Sequence, residues 1–347
     1  MALKKRADGR YVRAIKDERT GKRVYFYGAS EREINKKILD YTARAERGRL
    51  FSEVADEWWG ETLEKIAYNT VSNYKTAYHR ALEEFGDSSI SEIKPKDIGV
   101  YLRKLSIQGY SQKTVKNHKI VVSRIFQTAV MDGDIDFNPA AQAEIPRGLP
   151  QSKRLPTSED EAQIILDSKD LWLFPFAALM TGLRKGELLA LQWKDIDFEN
   201  NVINVTKSVY HQNNAPKIKK PKTDAGVRPV ILLSALRDKL LDIKGSPDEY
   251  IFSEDGGKTP YTKGEYERAM KAYKAATGIT TTAQPIRKRF ATTAAASKMD
   301  AKVLQKVMGH TDITTTLGIY ASVDSEAWQE ARDLLEQKTY KNNQKST

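Results

Sequence analysis

Four short stretches in the second half of this 347-residue chain concentrate residue types suited to acting on an oxyanion. They are Thr181-Gly182-Leu183-Arg184-Lys185-Gly186-Glu187, the pair Lys222-Thr223 with Arg228 beyond it, Arg287-Lys288-Arg289, and Gly309-His310-Thr311-Asp312-Ile313-Thr314-Thr315-Thr316-Leu317-Gly318-Ile319-Tyr320. A guanidinium grips an oxyanion with a planar fork and keeps its charge at any ordinary pH. An ammonium is a workable general acid, and a tyrosine oxygen is a nucleophile that keeps a phosphate as an ester. Taken singly, each stretch is ordinary: an arginine at a helix start, a lysine on a hairpin, a surface tyrosine.

Other chemistries fail on the residues themselves. Gly257-Lys258-Thr259 resembles the end of a phosphate-cradling loop, but the glycine needed five positions earlier is Phe252. No strand-to-helix context surrounds it, so no ATP site is read there. Neither Gly-x-Gly-x-x-Gly nor His-Glu-x-x-His occurs. The chain has no cysteine, which removes disulfides, thiolate zinc sites, iron–sulfur clusters and thiol nucleophiles and fits a reducing compartment. Its four histidines (His79, His118, His211, His310) include no two at metal-ligand spacing. No metal and no cofactor is expected.

The stretches need a scaffold, and the region from 157 onward reads as mixed α and β. Thr157 with Asp160 reads as a capping box, followed by two helices to about Leu191. Strand signals follow at 195–198, 202–209 and 227–232, the last after a turn at 223–226. Thr262 with Glu265 caps a helix carrying Tyr266, Met270 and Tyr273. Pro285 opens a helix burying Ile286, Phe290 and Ala294, and Asp300 opens one that ends at Gly309. Residues 49–144 read as all-helical, with apolar stripes at Val71, Tyr74, Tyr78, Leu82 and Phe85, at Ile98, Leu102 and Leu105, and at Val115, Val122, Phe126 and Ala129. Residues 1–48 read as strand, turn, strand and helix, the strands at 11–15 and 23–27 and the helix opened by Ser30 and Glu33 and running through Arg44. Residues 145–156 hold three prolines, three cations (Arg147, Lys153, Arg154) and no acid, the composition of an extended linker. The fold class is therefore multidomain: a small N-terminal sheet plus helix, an all-α domain, and a mixed α+β, mainly helical domain over 157–347.

Charge points to nucleic acid. Lysine and arginine number 57 against 46 acids, a net +11, and residues 1–49 alone hold fifteen cations and seven acids. Such a balance is the electrostatic footprint of a nucleic-acid binder. Arg10, Arg13, Lys16, Lys22 and Arg23 on the small sheet are candidates for a DNA groove, the alternative being a solvated face. Lys113, Lys116 and Lys119 are candidate phosphate contacts in the helical domain, as are Arg147, Lys153 and Arg154 in the linker. The most apolar stretch, 171–180, has ten residues with Pro175 inside it, against the roughly 20 needed to span a bilayer. No secretory signal is read at the N-terminus and no membrane partner is expected.

In their order, the four stretches resemble the tyrosine recombinase family, the phage-integrase type of site-specific DNA recombinase. The specific parts are Thr-Gly-Leu-Arg-x-Gly-Glu and Gly-His-x-x-Ile-x-Thr-Thr-x-x-x-Tyr, with Arg, Lys, Arg, His and Tyr in sequence. The resemblance covers about 157–336; residues 49–144 look like the family's core-site binding domain and 1–48 like the arm-type-site domain of lambda-type integrases. It implies that Arg184 and Arg287 clamp the scissile phosphate, Lys222 protonates the departing 5′-oxygen, His310 donates a hydrogen bond to the phosphate and Tyr320 is the nucleophile, leaving a covalent 3′-phosphotyrosine. Glu187 is expected to orient its neighbours. A phenol of pKa about 10 is ionised in roughly one part per thousand at pH 7, a deficit of about 4 kcal/mol that clustered cations offset without a metal. The resemblance further implies double-stranded attachment sites of core and arm type, a homotetramer in which 324–335 (apolar at Ala327, Trp328, Ala331 and Leu335) docks on a neighbour, host DNA-bending and directionality factors, and the cytoplasm of a bacterial host.

One departure stands out. The family's usual histidines three residues before and one after the second arginine are Gln284 and Lys288 here. Glutamine donates a hydrogen bond to phosphate but does not accept the phenolic proton near neutral pH. Misplaced acid–base catalysis costs about 10² to 10⁴ in rate. The expectation is a slow enzyme whose phenolic proton leaves to water or to another group; the alternative is an impaired recombinase fold kept as a DNA-binding regulator. Gln284→His is expected to cleave faster than the wild type in single-turnover assays, and an unchanged rate counts against the deficit.

Overall fold

The structure, a computed structural model, describes residues 4–5, 9–16, 21–151, 155–221 and 226–320. The chain forms two compact units, Met1–Ser152 and Lys153–Thr347.

The first unit opens with strands β1 (Lys4–Lys5), β2 (Tyr11–Lys16) and β3 (Arg23–Gly28), paired antiparallel in that order. Tyr11 lies opposite Gly28 and Lys16 opposite Arg23. Helix α1 (Glu31–Arg47) starts where Ser30 Oγ accepts the Glu33 N–H at 3.2 Å and the Glu33 carboxylate accepts the Ala29 N–H at 2.8 Å. Phe26 meets Tyr41 edge-on at 5.2 Å and Ile34 is fully buried, so α1 covers one face of the sheet.

Five helices follow: α2 (Phe51–Lys65), α3 (Tyr68–Phe85), α4 (Pro95–Ile107), α5 (Gln112–Met131) and the short α6 (Pro139–Gln142). Phe51 sits at their centre, its ring 5.5 Å from those of Phe85 and Phe126. The stripes on α4 and α5 are buried as expected, but that on α3 is rotated. Ala77, Tyr78, Ala81 and Phe85 are buried, whereas Val71, Tyr74 and Leu82 are only half-buried. Two of the four buried positions are alanines, so small side chains as well as large ones mark the buried face of α3.

The second unit begins with α7 (Glu159–Asp167), α8 (Leu173–Thr181) and the five-residue α9 (Lys185–Leu189), three helices where two were expected. Ser158, not Thr157, caps α7 by accepting the Glu161 N–H; the Thr157 hydroxyl is buried against that of Thr281 at 2.6 Å. Strands β4 (Ile196–Asp197), β5 (Val202–Val205) and β8 (Arg228–Ile231) make one antiparallel sheet. Strands β6 (Ser208–Gln212) and β7 (Ala215–Lys219) make a separate hairpin, so the expected strand 202–209 is two strands, and β7 is an addition. Helices α10 (Ser234–Asp242), α11 (Lys263–Thr277), α12 (Ala283–Ala296), α13 (Ala301–Met308) and α14 (Ile313–Tyr320) complete it. The Thr262–Glu265 box and the Asp300 cap form as read, while α12 starts two residues before Pro285. The apolar run 171–180 supplies most of α8 at the core, whose Phe174 and Phe176 share a cluster with Leu188, Ile203, Val230 and Ile286. Among the described residues no helix is long and apolar enough to cross a membrane.

Gly182 turns the chain between α8 and Arg184 at φ +63°, and a Cβ there would lie 2.2 Å from the Phe290 ring of α12. Left-handed backbone costs a non-glycine residue about 1–2 kcal/mol and overpacking adds about 1–3. Gly182→Ala is expected to lose roughly 2–5 kcal/mol of stability, read as a lower urea midpoint at unchanged slope.

Candidate active site

Arg184 is placed by the end of one helix and the start of the next. With Gly182 left-handed, Leu183 drops into the core and Arg184 becomes the residue that opens α9. Its backbone N–H donates to Glu187 Oε2 at 2.9 Å, its Nη1 to Glu187 Oε1 at 2.8 Å, and its Nη2 to the Gly309 carbonyl at 2.9 Å. Glu187 is buried and also accepts the two-pronged fork of Arg228, at 3.2 and 2.9 Å. Arg287 Nη1 lies 3.9 Å from the same carboxylate. Three guanidinium groups thus share one carboxylate, leaving positive charge in excess. Burial pushes the Glu187 carboxyl up, but the bonds from Arg228 and then Arg184 outweigh it and bring it down to about 2.

Arg287 stands one turn into α12 and is only 2% exposed. Its Nη1 donates to the Gly182 carbonyl and its Nη2 to the Met308 carbonyl, both at 2.5 Å. Burial first, then the charges of Arg184 and Arg228, lower its affinity for a proton to a pKa of about 9. His310 follows the left-handed Gly309 at the end of α13; its Nε2 is 3.4 Å from Arg287 Nη2 and its Nδ1 is 3.0 Å from the buried Thr316 hydroxyl. Burial and then the neighbouring arginines, Arg287 foremost, bring the imidazole to about 4, so it is neutral at pH 7. Gly309 is required where it stands: at φ +60°, a Cβ would come within 2.8 Å of the Arg228 guanidinium.

Above this layer opens a cleft of about 550 Å³ whose walls include Arg184, Glu187, Ser208, Lys219, Lys220 and His310. Lys222 lies outside the described residues, as do Lys153, Arg154 and the segment 324–335. Tyr320, the last described residue, is not brought to the cleft. Its ring packs on the small cluster of Ala291, Ala294, Ala295, Leu304 and Met308, and its hydroxyl donates to the Met299 carbonyl. Burial and then the Asp300 charge raise its pKa, opposite to what its expected role as nucleophile requires. A neutral phenol beside an apolar patch finds its hydrogen bond in the nearest carbonyl, which accounts for the placement. Gln284 is exposed on the opening turn of α12 and borders a different groove, while Arg287 on the same helix points inward.

The basic candidates of the first unit are solvent-facing. Arg10, Arg13, Lys16, Lys22, Arg23, Lys113, Lys116 and Arg147 are exposed and Lys119 is half-buried. Lys16 and Arg23 sit directly opposite each other across β2 and β3, on the face that α1 leaves open. Arg13 is on the other face, donating to Asn35 of α1 at 2.9 Å.

Arg228 is the residue whose importance sequence reasoning missed. Buried positions alternate along β8, placing Arg228 on the same inward face as Val230. An arginine at an inward strand position needs a buried acid, and Glu187 supplies it.

The chain matches the phage integrase family over residues 165–327 and the phage integrase central domain over 51–145. It is 26% identical to the ICEBs1 integrase of Bacillus subtilis (strain 168), an alignment covering 97% of this chain and 99% of that one. The Tn1549 transposon integrase, solved in complex with transposon right end DNA, is 25% identical with a TM-score of 0.67, covering 82% of this chain and 98% of that one. A lambda integrase tetramer bound to a Holliday junction shares the fold at 20% identity and a TM-score of 0.58, over 91% and 94% of the two chains. The chain belongs to the phage integrase family of tyrosine recombinases. Its multidomain, mainly helical architecture with small antiparallel sheets is the fold of these integrases.

In this integrase the buried ionic layer ties stability to pH. Glu187 and His310 both have folded pKa values below their unfolded ones, so the unfolded chain binds more protons and stability rises with pH. The His310 contribution is complete above about pH 6.5 and fades toward pH 4; that of Glu187 is complete above about 4.5 and fades toward 2. Urea unfolding across pH 7 to 3 is expected to show Glu187→Gln flattening the lower window and His310→Asn the upper. At pH 7, Glu187→Gln is expected to lose about 3–5 kcal/mol, because it leaves buried guanidinium charge unpaired.

Proposed function

We propose that the protein is a site-specific DNA strand transferase that integrates or excises a mobile element through a covalent 3′-phosphotyrosine intermediate. The observation that carries this reading is the excess of guanidinium charge around Glu187 at the base of an open cleft, beside a neutral imidazole. A cleft with that surplus is completed by an anion; Arg184 stands on its wall, and Arg287, now buried with both Nη atoms on carbonyls, has to be released to join it in gripping a phosphodiester. The Tn1549 transposon integrase, solved in complex with transposon right end DNA, supports the substrate class.

In the proposed step the Tyr320 oxygen attacks phosphorus while the bond from phosphorus to the 5′-oxygen breaks. Lys222 gives its proton to the departing oxygen, and the phenolic proton leaves to water in the absence of a histidine at 284. Arg184 and Arg287 hold the non-bridging oxygens, and His310, through Nε2, donates to one of them once the bound anion offsets the arginine charges that now depress its pKa. Glu187 and Arg228 hold the clamp in place. For attack, Tyr320 must leave the Met299 carbonyl, which couples cleavage to a rearrangement of α14.

The same reading assigns residues 1–48 to arm-type sites, 49–144 to core-type sites, 145–156 to a basic strap and 157–347 to catalysis. A homotetramer joined through 324–335, host bending and directionality factors, and action in a bacterial cytoplasm belong to it as well. A second reading, a recombinase fold retained as a DNA-binding regulator, is favoured by the withdrawn Tyr320 hydroxyl and by Gln284.

A suicide substrate nicked near the crossover separates the two. Wild type is expected to form a protein–DNA adduct stable to detergent, Tyr320→Phe to form none, and Arg184→Ala or Arg287→Ala to form it at least 10²-fold more slowly. Duplex binding without an adduct from wild type supports the regulator instead.

A further inference from the structure

We propose that a groove beside the cleft is a second phosphate site, one that takes a non-scissile phosphodiester of the same duplex; this rests on the strand-transferase reading. The groove, of about 540 Å³, is bordered by Lys185, Tyr266, Glu267, Lys271, Lys274 and Gln284. The Lys185 ammonium sits 4.6 Å over the ring of the buried Tyr266, which directs its stem along the wall. Lys271 and Lys274 are three apart on α11 and share one face of it, and Lys274 is steadied by a 2.6 Å bond to the Thr280 carbonyl. Glu267 is the opposing charge, with Lys263 3.9 Å from it. Cations therefore outnumber acids along the groove.

The placement ties this groove to the clamp. Lys185 follows Arg184 on α9, and Gln284 precedes Arg287 by one turn on α12, so the elements that aim the two guanidinium groups also build the groove. Arg184 lines the cleft and its chain neighbour Lys185 lines the groove, so a duplex with one phosphate on Arg184 is placed to present a non-scissile one to Lys185. Lysines act as point charges and read no base edge, so the site fixes the register of the strand rather than its sequence. It also gives Gln284 an occupation: in this chain that side chain offers its amide to the backbone next to the scissile position.

Equilibrium binding by the full chain carrying Tyr320→Phe, so that no adduct drains the complex, tests this on a duplex holding the sequence that wild type cleaves. Lys185→Gln is expected to weaken binding equally on unrelated duplexes and to lower the salt slope by about 0.9, so that it forfeits about 3.5-fold less affinity than its parent between 50 and 200 mM salt. A scan placing one neutral methylphosphonate at successive positions is expected to reveal a non-scissile phosphate whose neutralisation weakens the parent severalfold and leaves Lys185→Gln unchanged. Lys271→Gln, on an exposed helix face, repeats the measurement should Lys185→Gln fold poorly. Additive losses at every position, or an unchanged slope in both variants, overturn the second site while leaving the adduct assay intact. Competition by inorganic phosphate at millimolar concentration with no position-specific effect marks the groove as a free-anion site and overturns it too. Absence of any adduct from wild type removes the reading beneath both.

Discussion

One buried carboxylate carries the architecture of the site. Glu187 caps the backbone of the residue that opens α9, accepts a side-chain bond from that same residue, and takes the fork of Arg228 from β8. Arg228 in turn donates to the Val307 carbonyl at 2.7 Å, and Arg184 to that of Gly309, so the end of α13 is fixed by the same ionic layer. Arg287 reaches from α12 to the carbonyls of Gly182 and Met308. Four elements distant in sequence, which also share the apolar core through Leu188, Val230, Ile286 and Val307, are tied together at the site by charge-assisted bonds. Such bonds are directional, so they set the aim of the guanidinium groups as well as their position.

That arrangement leaves the site short of negative charge. Among the described residues the layer has one carboxylate for three arginines. The cost of confining the surplus is visible in the depressed proton affinities of Arg287 and His310, both driven first by burial and then by neighbouring cations. The cleft is open to solvent above Arg184, so water and counterions screen part of the surplus until an anion arrives.

The sequence disclosed the parts of this site that lie in compact motifs and not the parts set by long-range geometry. Arg184 and Glu187 stand within one helical turn, and their capping relation follows from local spacing alone. The helix caps at Ser30, Thr262 and Asp300 were legible for the same reason. Arg228 was not, because nothing near it in sequence announces a buried acid; only the alternation of β8 hinted that it faces inward. The stripe on α3 was read one notch off because bulk was taken as the sign of burial, whereas Ala77 and Ala81 lie on the buried face. Ser158 displaced Thr157 as a cap because Thr157 is held by Thr281, a partner 124 residues away. Gln284 was legible as a departure, but not the groove that it borders.

The position of Tyr320 bears on the same electrostatics. Cations that ease ionisation of a phenol next to phosphate also attract a phenolate when no phosphate is present. A tyrosine resting among Arg184, Arg287 and His310 would fill the surplus itself and compete with the duplex. Docked on Ala291, Ala294 and Leu304, with its hydroxyl on the Met299 carbonyl and its pKa raised, it stays protonated and leaves the cleft to the substrate. The ground-state hydrogen bond is a neutral one, worth only about 1 kcal/mol net, beside the packing of the ring on its apolar cluster. On the proposed reading, charge in the cleft and withdrawal of Tyr320 are two halves of one constraint: the site would bind its anion first and acquire its nucleophile second.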